Sequence, residues 1–190
     1  MIAISILAPT EHAEAILGPN CLINESRRGL IHLATGLAIH DGRVLLVASS
    51  YPNQPRPLWN LPGGRQQPGE LVAETVVREV LEETGLRAAV DQLAYVSESY
   101  DGEQHFLNVT FTIRISSFDF AQPFDSAQGD TGENDHVVGV EWVSISELAE
   151  RIVVSVVREP LLAYLGGALP QRYAGFHDAG VTIEWPAGSD

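Results

Sequence analysis

The stretch GRQQPGELVAETVVREVLEETGL, from Gly64 to Leu86, decides how the rest of the chain is interpreted, and we call it the box. Its part from Leu71 to Thr84 contains no glycine or proline and ends at Gly85, a residue type that commonly follows a helix C-terminus. This pattern predicts a helix over 71–84. The face of that helix that we expect to be buried carries Ala73, Val76, Val77 and Val80.

A second face of the same helix carries carboxylates. Glu79, Glu82 and Glu83 are spaced i, i+3, i+4, which places them within about 100° of arc. Such carboxylates repel each other, and the helix dipole disfavours negative charge near a helix C-terminus. A hard divalent cation such as Mg²⁺ would favour the arrangement, because it prefers oxygen ligands and shares them with substrate phosphates. Taken alone, the three glutamates fit a solvated acidic face equally well.

The residues that precede the helix favour the metal-site interpretation. Pro62, Gly63 and Gly64 permit a tight loop whose backbone can come close to a ligand. Arg78 is placed where it can pair with Glu70 and tie this loop to the helix. The loop and the helix therefore predict one common site.

The fixed positions of the box resemble the signature of the Nudix hydrolase (MutT-like) family, G-x5-E-x7-R-E-U-x-E-E-x-G-U, in which U is aliphatic. The matching residues are Gly64, Glu70, Arg78, Glu79, Val80, Glu82, Glu83, Gly85 and Leu86. The lead-in 58–64 and the later stretch 141–148 also resemble the family, so the likeness covers about Leu30 to Leu148. The resemblance implies the α/β (α+β) class, with an α/β/α sandwich around a mixed β-sheet.

The same resemblance implies roles for the matched residues. The positions that correspond to metal-binding and catalytic glutamates are Glu79, Glu82 and Glu83, and the carbonyl of Gly63 corresponds to a backbone metal ligand. Positions that are mainly structural are matched by Gly64, Glu70, Arg78 and Gly85. The implied cofactor is Mg²⁺ or Mn²⁺. The implied reaction is attack of a metal-activated water on a phosphoanhydride bond of a nucleoside diphosphate linked to another group.

The general base and the substrate contacts are less sharply defined. The box candidate for the base is Glu79; the loop candidates are Glu133 and Asp135, which also fit solvated loop acids. Candidate substrate-binding residues are Arg56, Arg65, Tyr51 and Tyr100. The two arginines flank the glycine turn and could bind phosphate. The two tyrosines could stack on a base, although an aromatic residue in a strand more often belongs to the core.

The composition excludes several other classes of protein. The formal charge of the 190 residues is −14, which provides no basic footprint for duplex nucleic acid. All 11 Lys and Arg residues are arginine, which excludes P-loop and Schiff-base chemistry that depends on lysine. The one cysteine, Cys21, excludes an intrachain disulfide. No apolar run approaches the roughly 18 residues of a membrane span. We therefore expect a cytoplasmic protein with a small nucleotide substrate and no membrane partner, and a homodimer stays open.

The pattern outside the box predicts strands around one central helix. We expect strands at 30–40, 43–49, 59–61, 88–100, 106–115, 137–143 and 181–185, and further helices at 144–151 and 159–165. Asp41-Gly42 predicts a hairpin turn, and Ser144 with Glu147 predicts a capping box.

The organisation that we expect is a single Nudix domain over 1–190. Its core covers about 30–150, with a lead-in at 1–28 and a C-terminal extension at 151–190. Residues 118–135 contain a short repeat and a Gly- and Asp-rich end, which predict a mobile surface insertion.

Two other functions compete with a hydrolase. A non-catalytic nucleotide-binding or regulatory module on the same fold would usually lack one of the box glutamates, and all of them are present. An isomerase of prenyl diphosphates would need a cysteine in mid-domain, whereas Cys21 precedes the matched region. Mg²⁺-dependent release of phosphate products from nucleotides would separate these three functions.

Overall fold

The computed structural model describes residues 29–102, 104–116 and 136–181. The insertion expected at 118–135, with Glu133 and Asp135, lies outside these ranges, as do the lead-in 1–28 and most of the strand expected at 181–185.

Eight strands in the described residues form the sheet. They are β1 (Leu30–His40), β2 (Arg43–Ser49), β3 (Leu58–Asn60), β4 (Gly63–Arg65), β5 (Ala88–Asp101), β6 (Gln104–Ile115), β7 (Val137–Ser144) and β8 (Tyr173–Phe176). The strand order is β3-β2-β1-β6-β5-β8, with β4 paired to β1 and β7 paired to β2. Strands β1 and β6 are parallel, as are β5 and β8, whereas β5 and β6 are antiparallel. The sheet is therefore mixed, as expected.

The predicted hairpin between β1 and β2 is confirmed. Asp41 and Gly42 have φ of 47° and 70°, the left-handed values that a two-residue turn of this kind requires. The two strands pair only next to this turn, at Ile39 with Val44 and His40 with Arg43. Farther from the turn, β1 pairs with β4 and β6, and β2 pairs with β3 and β7.

Helices cover both faces of the sheet. They are α1 (Val72–Thr84), α2 (Leu148–Arg151) and α3 (Ser155–Leu165). Helix α1 packs Val76 and Val80 against Ala34 and Ala38 of β1. Leu37 of β1 belongs to the other core, with Leu148 of α2 and Leu161 of α3. Because successive strand residues point to opposite faces, α1 lies on one side and α2 with α3 on the other. The predicted α/β/α sandwich is confirmed.

Three expectations around α1 were wrong: the burial of Val77, the first residue of the helix and the conformation of residues 63–65. Val77 was expected to be buried, but it is 38% exposed because the contact of α1 with the sheet is narrow and runs along Val76 and Val80. Helix α1 begins at Val72, and the Leu71 N–H is bound by the Glu74 carboxylate at 2.8 Å. Residues 63–65 form strand β4, because they pair with β1.

The C-terminal helices also differ from expectation. Ser144 makes no side-chain cap; its hydroxyl is bonded to that of Ser146, and a 3₁₀ turn over Ile145–Glu147 precedes α2. Helix α3 begins at Ser155 rather than 159 and contains Pro160, which is buried together with Leu161. Burial of this turn against the core offsets the hydrogen bond that proline cannot donate. Strand β8 was not expected from the sequence. It forms because its residues pair in parallel with strand β5.

Candidate active site

Arg78 and Glu70 form the predicted brace between the box loop and α1. Arg78 donates from Nε to Oε1 of Glu70 at 2.6 Å and from Nη2 to Oε2 at 3.1 Å. The Gln67 N–H and the Thr75 hydroxyl also donate to Glu70 Oε2, at 3.0 and 2.9 Å. The Arg78 hydrogen bond, followed by the weaker contributions of these donors, lowers the pKa of Glu70 to about 2. The predicted pairing is confirmed, and Glu70 needs no further partner.

The other Arg78 nitrogen connects the brace to the acidic face of α1. Nη1 donates to Glu79 Oε1 at 2.8 Å and to Glu82 Oε2 at 2.9 Å. Glu83 is held from the loop side, where the Gly63 N–H donates to its Oε2 at 2.8 Å. Glu79 and Glu83 are 6% and 7% exposed, while 35% of the Glu82 side chain is exposed. The buried pair therefore faces the glycine loop.

The two loop glycines are required for different reasons. Gly63 has a φ of 151°, and a Cβ there would lie 2.1 Å from the carbonyl oxygen of Ala34. A Cβ on Gly64 would lie 2.5 to 2.7 Å from the carboxyl atoms of Glu79. Gly63 thus permits a backbone path, whereas Gly64 provides the room that the Glu79 carboxylate occupies.

The electrostatics of the acidic face differ from those of the brace. Burial raises the pKa of Glu79, while the charge of Arg78 lowers it. Burial raises the pKa of Glu83 well above its ordinary value, and the negative charge of Glu79 adds to that effect. The two buried carboxylates, Glu79 and Glu83, thus lie near a single positive charge, that of Arg78. The same guanidinium also forms an ion pair with Glu70. Additional positive charge would stabilise the ionised forms of Glu79 and Glu83.

The donor chemistry of this locus fits a hard divalent cation. The donors are carboxylate oxygens on a single helix face, which is the ligand type that Mg²⁺ and Mn²⁺ prefer. Within the described ranges, however, no three acidic, histidine or cysteine side chains already converge as a metal site. Arg78 donates to Glu79 Oε1 and to Glu82 Oε2, so it holds one oxygen of each of these two carboxylates.

The candidate substrate-binding residues lie in different places. Burial raises the pKa of Tyr51, and the negative charge of Glu83 adds a smaller effect in the same direction. Arg65 is in β4, and its carbonyl oxygen accepts a 3.1 Å hydrogen bond from Arg78. Arg56 is exposed in the loop before β3. Tyr100 is at the end of β5, where its ring stacks on His105 with centroids 4.3 Å apart.

One residue that contacts the candidate residue Tyr51 was missed from the sequence. The ring of His136 lies 5.7 Å from the ring of Tyr51, and its carbonyl oxygen accepts a 2.7 Å hydrogen bond from the Ser50 N–H. These contacts follow from the pairing of β2 with β7, in which Ser49 is opposite Val137. The only sequence signal was the position of a histidine directly before a predicted strand.

Comparison with known proteins identifies the family. A model of the NUDIX domain matches residues 30–165, which is more than half of the chain. The chain therefore belongs to the NUDIX family. Among the described residues, no helix is long and apolar enough to cross a membrane.

Two relatives and one solved structure illustrate the likeness. The chain is 51% identical over 51 residues to a Bacillus subtilis protein named "Putative 8-oxo-dGTP diphosphatase", a match that covers 26% of this chain and only 34% of that protein. It is 27% identical over 134 residues to phosphatase NudJ of Escherichia coli K12, covering 70% of this chain and 78% of that protein. A NUDIX hydrolase from Nitrosomonas europaea has the same fold, with a TM-score of 0.60, 23% identity and coverage of 83% and 98% of the two chains.

Proposed function

We propose that this chain is a divalent-metal-dependent pyrophosphohydrolase. Its substrate would be a nucleoside diphosphate linked to another group, such as a third phosphate, a nucleotide or a sugar, and the products would be two phosphate-bearing molecules. The observation that carries the proposal is the pair of buried carboxylates, Glu79 and Glu83, packed against the glycine loop. Burying like charges together costs stability, and a cation-dependent reaction explains why they are there. The diphosphatase and phosphatase names of the two relatives support the same class of reaction.

Some residues of the glycine loop and α1 would bind the metal ion, and others would position those ligands. Glu79, Glu82 and Glu83, with the Gly63 carbonyl, would hold Mg²⁺ or Mn²⁺, which supplies a water of lowered pKa and positive charge for the transferring phosphoryl group. Arg78 orients the carboxylates of Glu79 and Glu82 through its Nη1. The Gly63 N–H fixes one oxygen of Glu83. Positioning of this kind removes reorganisation from the reaction step.

The general base is proposed from the same set of carboxylates. Glu79 is the box candidate, and Glu133 and Asp135 remain the loop candidates. A base must lie within hydrogen-bond reach of the attacking water. Glu133→Gln and Asp135→Asn variants separate the two locations, because loss of the base lowers kcat without changing the Mg²⁺ concentration that half-saturates the enzyme.

We also propose that the protein works in the cytoplasm on small molecules, without duplex nucleic acid or a membrane as partner. The net charge of −14 supports this assignment, because the protein repels polyanions unless metal ions mediate the contact. The substrate diphosphate would arrive as its Mg²⁺ complex, which reduces the repulsion.

The test is a hydrolysis panel. Purified protein would be incubated with dGTP, 8-oxo-dGTP, UDP-glucose, ADP-ribose and diadenosine tetraphosphate in Mg²⁺, Mn²⁺ or excess EDTA, and products would be followed by ³¹P NMR. The proposal predicts metal-dependent cleavage of at least one compound between two phosphorus atoms. Metal-dependent binding without turnover across the panel would instead show a non-catalytic binding module.

A further inference from the structure

The backbone of the glycine loop rests against strand β1. Gly63 pairs with Thr35, and the Gly36 N–H donates to the carbonyl oxygen of Pro62 at 2.9 Å. A Cβ on Gly63 would lie 2.7 Å from Thr35 Cα and 2.9 Å from Thr35 Cγ2. Gly63 thus lies directly against Thr35, while its N–H donates to Glu83 Oε2 at 2.8 Å.

The Thr35 side chain is itself fixed by two residues of β6. Thr35 and Thr110 are register partners in the parallel pairing of β1 with β6, and their Oγ1 atoms are 2.8 Å apart. Asn108 Nδ2 donates to both oxygens, at 3.2 Å to Thr35 and at 3.3 Å to Thr110. Thr35 is 6% exposed and Thr110 is completely buried. We call these three side chains the hydroxyl clasp.

The hydroxyl clasp places polar atoms where apolar ones would be expected. Valine has nearly the shape of threonine and favours strands without bringing an oxygen into the core. The two buried hydroxyls are tolerated because they bond to each other and to Asn108. A hydrogen bond is directional, so the clasp fixes the rotamer of Thr35 and with it the methyl group that lies next to Gly63.

We infer that Thr35 is a positioning residue: through the hydroxyl clasp it holds the Gly63 backbone, so that the Gly63 N–H stays bonded to Glu83 and the Gly63 carbonyl keeps a fixed direction. Thr110 and Asn108 act through Thr35, because β1 lies between β6 and β4. The consequence for cation binding rests on the proposed function, whereas the effect on Glu83 depends only on the contacts described above.

Two substitutions at Thr110 separate its hydroxyl from its methyl group, since Thr110→Val removes the hydroxyl and Thr110→Ser keeps it. Hydrogen exchange of ¹⁵N-labelled protein in EDTA, followed by NMR, reports on the Gly63 N–H without metal or substrate. We expect this N–H to exchange about 10-fold faster in Thr110→Val, the size of effect for loosening a hydrogen bond to a charged group, and at the wild-type rate in Thr110→Ser. Should the valine variant not fold, Thr110→Ala removes the hydroxyl without crowding Thr35 and is expected to have the same effect.

Two controls distinguish positioning from a general loss of stability. The Val96 N–H donates to the carbonyl oxygen of Arg172 at 2.8 Å, next to β8 at the edge of the sheet. A general loss of stability would accelerate the exchange of Val96 and Gly63 alike, whereas positioning accelerates only Gly63. Thr112→Val removes a hydroxyl of the same strand β6 that donates to the Gln92 carbonyl oxygen at 3.3 Å, and it should leave the Gly63 exchange rate unchanged.

Binding of Mn²⁺ alone, measured by EPR of the free ion, tests the consequence for the cation. The dissociation constant should rise about 10-fold in Thr110→Val, the lower end of the range for residues that orient a metal ligand. It should keep its wild-type value in Thr110→Ser and Thr112→Val. An unchanged Mn²⁺ affinity in Thr110→Val would overturn this part of the inference.

The exchange experiment also separates two failures. A wild-type protein that neither binds Mn²⁺ nor cleaves a panel compound would contradict the proposed function, while faster exchange of Gly63 alone in Thr110→Val would still support the positioning role. Equal acceleration of Gly63 and Val96, or a wild-type rate for Gly63, would show that the hydroxyl clasp only stabilises the pairing of β1 with β6. Either result would overturn the inference and leave the proposed function intact.

Discussion

In the sequence of the box, Glu70 precedes Arg78 and Glu83 follows it, and the electrostatic surroundings of the two carboxylates are opposite. Glu70 receives two hydrogen bonds from Arg78 and further donors from Gln67 and Thr75, and its pKa falls to about 2. Glu83 is buried, has Glu79 as its neighbouring charge, and its pKa is raised well above the ordinary value. Hydrogen-bond donors of the protein itself stabilise the ionised form of Glu70. The ionised form of Glu83 lacks comparable stabilisation, because burial and the charge of Glu79 both oppose it.

The two carboxylates therefore contribute to stability with opposite dependence on pH. A lowered pKa means that Glu70 stabilises the folded protein above its ordinary value of 4.5, and this contribution is lost as the pH falls towards about 2. A raised pKa means that Glu83 destabilises the metal-free protein as the pH rises above that ordinary value of 4.5. The brace contributes to folding, and the buried carboxylate of Glu83 reduces the stability of the metal-free protein.

The largest effect is expected from Glu82→Gln, which keeps the shape of the side chain and removes its charge. If the cation held by the acidic face provides most of the transition-state stabilisation, kcat should fall about 100- to 1,000-fold at saturating Mg²⁺. Glu74→Gln is the control on the same helix, since Glu74 is exposed and only accepts the Leu71 N–H. Equal activity of the two variants in steady-state assays would show that the charge of Glu82 matters no more for catalysis than that of the exposed Glu74.

The next effect is expected on stability, from breaking the brace with Arg78→Met. This change leaves the carboxylates of Glu70 and Glu79 without their counter-charge, and it should lower the free energy of unfolding by about 3 kcal/mol. Arg114→Met is the control, because Arg114 is 74% exposed and its nitrogen lies 3.7 Å from Asp91. That surface pair should contribute less than about 1 kcal/mol. Urea unfolding in EDTA measures both, and similar losses would show that the brace is no stronger than a surface pair.

The smallest effect is expected from Gly64→Ala. The new methyl group would overlap the Glu79 carboxylate, so Glu79 must turn away, and overpacking of this kind costs about 1 to 2 kcal/mol. Gly139→Ala adds the same group where the nearest atom, Ala48 Cβ, is 3.6 Å away, and stability should change little. The Mg²⁺ concentration for half-maximal activity should rise only in Gly64→Ala. An unchanged metal requirement would show that Glu79 tolerates displacement.

The sequence could predict the box because its geometry is local. The spacing from Arg78 to Glu79 and Glu82 is set by one helix, and Gly85 ends that helix with a φ of 69°. The Arg78 to Glu70 pairing follows from the same short stretch, and so does the hairpin turn at Asp41 and Gly42. Local rules such as helix periodicity and turn conformation are sufficient for these features.

The features that could not be predicted depend on contacts between distant segments. His136 is next to Tyr51 only because β7 pairs with β2, and β8 forms only because the edge of β5 is available. Val77 is exposed because the width of the contact between α1 and the sheet is a tertiary property. Pro160 within α3 is tolerated because neighbouring residues are buried. Propensity and pattern contain none of this information.

The most direct test of the central claim measures two properties of Glu83→Gln. If the buried charge of Glu83 serves catalysis and opposes folding, kcat/KM in Mg²⁺ should fall at least about 100-fold. In EDTA at pH 7, the free energy of unfolding should equal or exceed that of the wild type, and any gain should disappear below about pH 4.5. Full activity with an unchanged Mg²⁺ requirement, or a clear loss of metal-free stability, would show that Glu83 is a structural residue of the helix and would contradict this account.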